Sequence, residues 1–127
     1  MTVAPGDAMT ASITEVPTGQ WTISITDATT GATFTTAQSY SGPGSSAEWI
    51  EEAPTIGGHI ATLAHYGQTT FDPGTVNSAS PNLVTSDGGV MIQHRTQVST
   101  PSLPDNDAQP DEFNIAYGST SPSPPSS

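Results

Sequence analysis

The 127-residue chain carries 12 Asp and Glu against a single basic residue, Arg95, so its formal net charge is -11 at pH 7. This excess of negative charge disfavours nucleic acid and anionic membranes as partners, because both require a basic surface. A hydrophobic fraction of 32% allows one small domain with a thin core, and no apolar run is long enough to span a bilayer. The absence of cysteine excludes disulfides and thiolate chemistry.

The hydrophobic pattern predicts an all-β fold. Residues 10–14, 21–26 and 33–40 alternate apolar or aromatic residues with Thr or Ser, as strands with one buried face do. The glycine-containing turn sequences VPTGQ and DATTGAT join these three strands into a predicted meander. Further strands are predicted at residues 47–52, 59–64, 69–71, 90–98 and 113–117. Strands separated so evenly by turns imply an antiparallel β-sandwich or jelly roll.

Changes in composition predict the domain organisation. We expect residues 1–100 to form the sandwich, because the Pro- and Asp-rich segment 101–112 has the composition of a loop. A final strand is predicted over 113–118. The segment that follows, 119–127, is rich in Ser and Pro, and we expect it to be a disordered tail.

The segment AEWIEEAP, which begins at Ala47, places three carboxylates beside a tryptophan. Strand alternation puts Glu48, Ile50 and Glu52 on one face and Trp49 with Glu51 on the other. If Trp49 packs inward, Glu48 and Glu52 line the opposite surface, where a concave sheet can give two carboxylates the different pKa values that acid–base chemistry requires. The alternative is that these carboxylates are solvated on an outer face, with Trp49 as an ordinary core residue.

Four segments together carry a resemblance to a known family. TVAPGDAMTASIT, WTISITDATTGATFT, AEWIEEAP and LAHYGQTTF occur in the order and spacing of the C-terminal half of the glutamic peptidases, also called eqolisins or peptidase family G1. The resemblance covers residues 2–98, with the last strand at 113–117. It implies a lectin-like β-sandwich and a secreted endopeptidase that hydrolyses polypeptides in acid without a metal or cofactor.

The resemblance also implies site residues. The family uses a Glu and a Gln, and the catalytic Glu is the second one of the AEWIxE motif, which falls on Glu52. Glu48 and Ile50 are then expected to line the groove, and Glu51 stands where the family has an apolar residue. A carboxylate in this position takes a proton from the attacking water, while the amide of the Gln stabilises the oxyanion.

The resemblance places the catalytic Gln in the N-terminal half of the family, ahead of this chain. None of the six glutamines here lies in a matching motif, and only Gln38 and Gln68 are near strands that could approach the groove. We therefore expect a truncated protein that is inactive alone. Its expected partners are the missing half or a second copy bound through exposed sheet edges, and its secretion signal is expected outside this chain.

The sequence is also compatible with two other functions. A non-catalytic β-sandwich that serves as a binding or surface module would explain the missing Gln. A jelly-roll glycoside hydrolase would use Glu48 and Glu52 as its carboxylate pair. Ile50 takes the central position where such hydrolases carry Asp, and an aromatic content of 6% is low for a sugar-stacking groove.

Overall fold

The computed structural model describes residues 1–72 and 74–126, and these form nine β-strands and one short 3₁₀ helix, Thr85–Asp87. The strands are β1 Met9–Glu15, β2 Gln20–Asp27, β3 Thr33–Ser39, β4 Thr55–Ile56, β5 His59–Ile60, β6 Gln68–Phe71, β7 Met91–Gln93, β8 Thr96–Pro101 and β9 Phe113–Tyr117. Every strand pairing is antiparallel. The prediction of an all-β antiparallel fold is confirmed. The chain divides into two compact units, Met1–Ser45 and Ser46–Ser127.

The first unit is the predicted meander, a sheet with the strand order β1-β2-β3. Its turns contain Gly19 and Gly31, whose φ angles of 77° and 76° favour glycine. The buried carboxylate of Asp27 ends β2 by accepting hydrogen bonds from the backbone N–H groups of Thr29 and Thr30. This Asx-type turn fixes where β3 begins.

The register of the meander separates apolar from hydroxyl side chains. Ile13 lies directly opposite Ile23, so the apolar residues of β1 and β2 share one face. On the other face the hydroxyls of Ser24 and Thr35 lie 3.1 Å apart and form a cross-strand hydrogen bond. The period-2 pattern of the sequence is therefore expressed as a sheet with one apolar and one Thr- and Ser-rich face.

The second unit contains a sheet with the strand order β6-β9-β8-β7 and the separate hairpin β4–β5. The hairpin turns at Gly57 and Gly58, which have φ angles of 57° and 81°, as a two-residue hairpin turn requires. The buried apolar residues of the described chain are Ala53, Leu63 and Ile115, all in this unit. Its core is as thin as the composition predicts.

One predicted strand is much shorter in the structure, and another is absent. Residues 47–52 are not paired with another strand, although the segment alternates in exposure. The predicted strand 59–64 ends at Ile60, where β5 ends, because the tight turn closes only two residue pairs. Beyond it, the amide of Gln93 bridges the chain at Ala61 and Leu63 and replaces a backbone ladder.

The predicted strand 90–98 is a hairpin. His94 and Arg95 have φ angles of 49° and 66° and reverse the chain between β7 and β8. Neither residue is a usual turn former, since two left-handed positions favour sequences such as Asn-Gly. The alternation of residues in this segment therefore predicts extended chain on both sides of the turn, but it does not predict the turn itself.

The C-terminal segment differs from the predicted tail. The Ser121 hydroxyl donates a hydrogen bond of 2.7 Å to the backbone oxygen of Pro101, and the Asn114 side chain donates one of 2.8 Å to the oxygen of Ser123. Residues 119–126 are thus attached to β8 and β9, while Ser127, the last residue of the predicted tail, lies outside the described residues. No helix in the described part of the chain has the length and apolar character to cross a membrane.

Candidate functional site

A groove of about 860 Å³ lies in the second unit, over one face of its four-stranded sheet. Pro101 lies opposite Ile115, and Met91 lies opposite Ser99, so these four residues share a face, and all four line the groove. Phe113, two residues before Ile115 in β9, extends the same face. The floor of the groove is therefore formed largely by apolar side chains on paired strands.

The residues of the AEWIEEAP segment form one wall of this groove. Glu48, Trp49, Ile50 and Glu51 all line it, with Trp49 and Glu51 half-buried and Glu48 and Ile50 exposed. The place of Glu48 and Ile50 in the groove of a peptidase stays a prediction. The segment brings two carboxylates to the apolar cavity.

A third carboxylate reaches the groove from the 3₁₀ helix. Asp87 lines the groove, and its carboxylate accepts a hydrogen bond of 2.9 Å from the backbone N–H of Val84. None of the described groove-lining residues is basic. Asp87 is not predicted as a site residue, because its segment TSDGG indicates a turn in the sequence but no groove.

Glu52 has a different position from its two acidic neighbours. It is exposed and is not among the residues that line the groove, whereas the following residue, Ala53, is buried. The structure thus places Glu51 at the groove and Glu52 beside it in the chain. The catalytic role of Glu52 stays a prediction.

No glutamine lines the groove among the described residues. The Gln93 amide donates to the oxygen of Ala61 at 3.0 Å and accepts from the N–H of Leu63 at 2.9 Å, so it serves as a structural bridge. The Gln38 amide contacts the hydroxyl of Thr36 at 3.5 Å. Gln68 is exposed at the start of β6. An amide donor for an oxyanion is therefore not found in the described groove.

One polar pair interrupts the apolar floor. The hydroxyls of Tyr66 and Ser99 lie 2.7 Å apart, and Ser99 is only 1% exposed. Tyr66 also packs edge-on against Tyr117, with ring centroids 6.2 Å apart. Because the Ser99 hydroxyl has a fixed partner, this pair is a satisfied polar contact at the base of the groove.

A second set of acids lies in the loop before β9. The Asp105 carboxylate accepts hydrogen bonds from the N–H groups of Asp111 and Glu112, and the bond from Glu112 is the main cause that lowers its pKa. Burial, followed by the negative charge of Asp72, raises the pKa of Asp111 and of Glu112. Within residues 1–72 and 74–126, no group of three or more His, Asp or Glu side chains is arranged to hold a metal ion.

The fold and the groove together define an antiparallel β-protein with an acidic, apolar-floored groove. A family model described as the Peptidase A4 family matches residues 1–117, and the chain belongs to this family. The resemblance to the glutamic peptidases is thereby confirmed.

Comparison with solved structures supports the fold. The chain is similar to the crystal structure of aspergilloglutamic peptidase from Aspergillus niger, with a TM-score of 0.62 and 22% sequence identity. The match covers 92% of this chain and 69% of that one. The prediction of a β-sandwich fold class is confirmed by this similarity. A search of curated proteins found no match.

Proposed function

We propose that the chain is a glutamic-peptidase-like protein that acts on polypeptides, with Glu52 as the carboxylate that activates water. Membership of the Peptidase A4 family supports the reaction class. The observation that carries the proposal is the position of the AEWIEEAP segment, which forms a wall of the groove through residues 47–51. Glu52 follows this wall directly in the chain, and the proposal requires its carboxylate to reach a polypeptide bound in the groove.

The proposed chemistry requires two groups. The Glu52 carboxylate accepts a proton from a water molecule that attacks the peptide carbonyl, and it then returns the proton to the leaving amine. A side-chain amide donates hydrogen bonds to the developing oxyanion, and removal of one such donor costs a factor of about 10²–10³ in rate. Since no described glutamine lines the groove, we propose that this amide comes from the upstream half of the family fold or from a second chain.

Secretion and action in acid belong to the same proposal. A chain with a net charge of -11 repels itself at neutral pH, and protonation of its carboxylates in acid reduces this repulsion. A protein of this composition is therefore suited to an acidic extracellular medium.

Complementation tests the catalytic proposal. The chain is assayed with an unfolded protein substrate at about pH 4, alone and joined to the N-terminal part of a Peptidase A4 family member, with metal chelators and serine and cysteine traps present. We expect little cleavage by the chain alone and clear cleavage by the complemented protein. Glu52→Gln should abolish this cleavage, because an amide cannot transfer the proton, and Glu48→Gln should have an intermediate effect.

The matched control is Glu51→Gln, which makes the same chemical change at the adjacent position. It should retain cleavage within about tenfold of the parent, since Glu51 takes no part in proton transfer. Equal losses in the Glu51 and Glu52 variants would show that the catalytic role is assigned to the wrong residue.

A second candidate is a non-catalytic polypeptide-binding module. It is favoured by one observation, that the groove is lined by neither Glu52 nor a glutamine among the described residues. A complemented protein that is folded but has no turnover would support this candidate. No such observation favours the glycoside hydrolase alternative. That alternative requires Glu48 and Glu52 to act as a pair at one groove, and only Glu48 lines it.

A further inference from the structure

We propose that the groove selects polypeptide segments in which a large apolar side chain is flanked by basic residues. The proposal rests on the proposed function for the polypeptide nature of the ligand, and it adds the class of segment that is bound. Two independent features of the groove carry it, the chemistry of its floor and the charge of its wall.

The floor accepts an apolar side chain. Met91, Phe113 and Ile115 present apolar atoms from three positions of the paired sheet, and Ile115 is only 7% exposed, which fixes it in the core. A volume of about 860 Å³ is enough for one large side chain and its two neighbours. Burial of a Phe side chain in such a place favours binding by a factor of about 10–100 over an exposed one.

The wall selects the charge of the flanking residues. Glu48, Glu51 and Asp87 line the groove, and no described lining residue is basic. Carboxylates of one sign around a low-dielectric cleft concentrate their field in it, and this attracts a cationic ligand. The flanking residues of the bound segment are therefore Lys or Arg, and a segment flanked by Glu is repelled.

Gly89 is a position at which a substitution can block the groove. It lines the groove, a Cβ atom built on it meets nothing within 4 Å, and its backbone is not left-handed. The neighbouring Gly88 is tighter, because its Cβ would lie 3.4 Å from a side-chain atom of Pro101. A large side chain at position 89 can thus fill the groove without strain in the backbone.

The binding experiment uses three synthetic peptides with blocked ends, and calorimetry at pH 6 in low salt. The sequence Ala-Lys-Phe-Lys-Ala should bind more tightly than Ala-Lys-Ala-Lys-Ala by about 10–100-fold, because only the first fills the floor. It should also bind more tightly than Ala-Glu-Phe-Glu-Ala, and its affinity should fall as salt screens the wall. Equal affinity for the Lys- and Glu-flanked peptides would overturn the proposal.

Charge variants locate the effect at the wall. Glu48→Gln with Glu51→Gln should weaken binding of the Lys-flanked peptide by about two- to fivefold for each carboxylate removed. The matched control, Asp72→Asn with Asp111→Asn, removes the same net charge outside the groove and should leave affinity nearly unchanged. Equal weakening by both pairs would mean that overall charge attracts the peptide, and the proposal would be wrong.

A steric variant tests the floor separately. Gly89→Trp should abolish binding of the Lys-flanked Phe peptide, while Ser86→Trp, three residues away and outside the groove lining, should not. A thermal melt of each variant shows whether it is folded, and unchanged binding by a folded Gly89→Trp protein would overturn the proposal. Binding requires no turnover, so selective binding without proteolysis would refute the catalytic proposal alone, whereas proteolysis without this selectivity would refute the groove proposal alone.

Discussion

The side-chain amide of Gln93 bridges Ala61 and Leu63, and its removal tests what stabilises the second unit. The Gln93 side chain donates to the oxygen of Ala61 at 3.0 Å and accepts from the N–H of Leu63 at 2.9 Å, joining two segments 30 residues apart. Leu63 is 4% exposed, so water cannot readily replace the lost partner of its N–H. Gln93→Ala removes two hydrogen bonds of about 1 kcal/mol each and leaves a buried donor unpaired at a cost of about 1–3 kcal/mol. We expect the free energy of unfolding to fall by about 3–5 kcal/mol in total.

Urea unfolding measures this loss, and hydrogen exchange at the Leu63 amide shows whether it is local. Gln109→Ala is the matched control, since Gln109 is exposed and its side chain makes no hydrogen bond with the described residues. A Gln93→Ala protein within about 0.5 kcal/mol of this control would refute the bridge as a source of stability.

Three further predictions concern charge and turn geometry. The hydrogen bond from the Thr30 side chain lowers the pKa of Asp27 below 3.8, so its stabilising contribution is present above pH 3.8 and is lost as pH falls through the folded pKa. Asp27→Asn should therefore be less stable than the parent at pH 6, with a difference that shrinks in strong acid; a constant difference would contradict this. Burial raises the pKa of Glu112 above 4.5, so its contribution is present below pH 4.5 and is lost as pH rises through the folded pKa. In thermal melts, the melting temperature of Glu112→Gln relative to that of the parent should rise from pH 4 to pH 7. A fall in this difference over the same range would refute the direction of the pKa shift. His94→Asn with Arg95→Gly should stabilise the β7–β8 hairpin by about 1 kcal/mol in urea unfolding, because both positions have left-handed φ angles; a loss would show that the two side chains make a stabilising contribution of their own.

The sequence predicts the strands best where the alternation of side chains and the turn residues within a segment determine its structure. The meander follows the period-2 pattern closely, and its turns are marked by Gly19, Gly31 and Asp27, which form them. The strand predicted at 113–117 has the bounds of β9. In each case the alternation of side chains and the turn residues lie within the segment itself, so no distant contact is needed to predict it.

Prediction from the sequence fails where contacts between residues distant in the chain determine the structure. The alternation of residues 47–52 predicts a strand, and exposure does alternate along it, but a strand also needs a neighbour for its backbone, which the pattern cannot supply. The turn at His94 and Arg95 has no local signal, because tertiary structure imposes left-handed angles on residues that do not favour them. Asp87 lines the groove from the 3₁₀ helix, whose sequence indicates only a turn.

Two pairs of acidic residues in this chain can be told apart by what their carboxylates contact. Asp27 and Asp105 are buried and accept backbone N–H hydrogen bonds within turns and loops. The hydrogen bond from the Thr30 side chain is the main cause that lowers the pKa of Asp27, and the bond from the Glu112 N–H is the main cause that lowers the pKa of Asp105. Glu48 and Glu51 instead line an apolar groove together with Trp49. A carboxylate that closes a turn contributes to the free energy of unfolding, whereas one on a groove wall contributes its charge to whatever enters the groove. Neutralising the first group should therefore change stability and leave peptide affinity nearly constant, and neutralising the second should do the reverse.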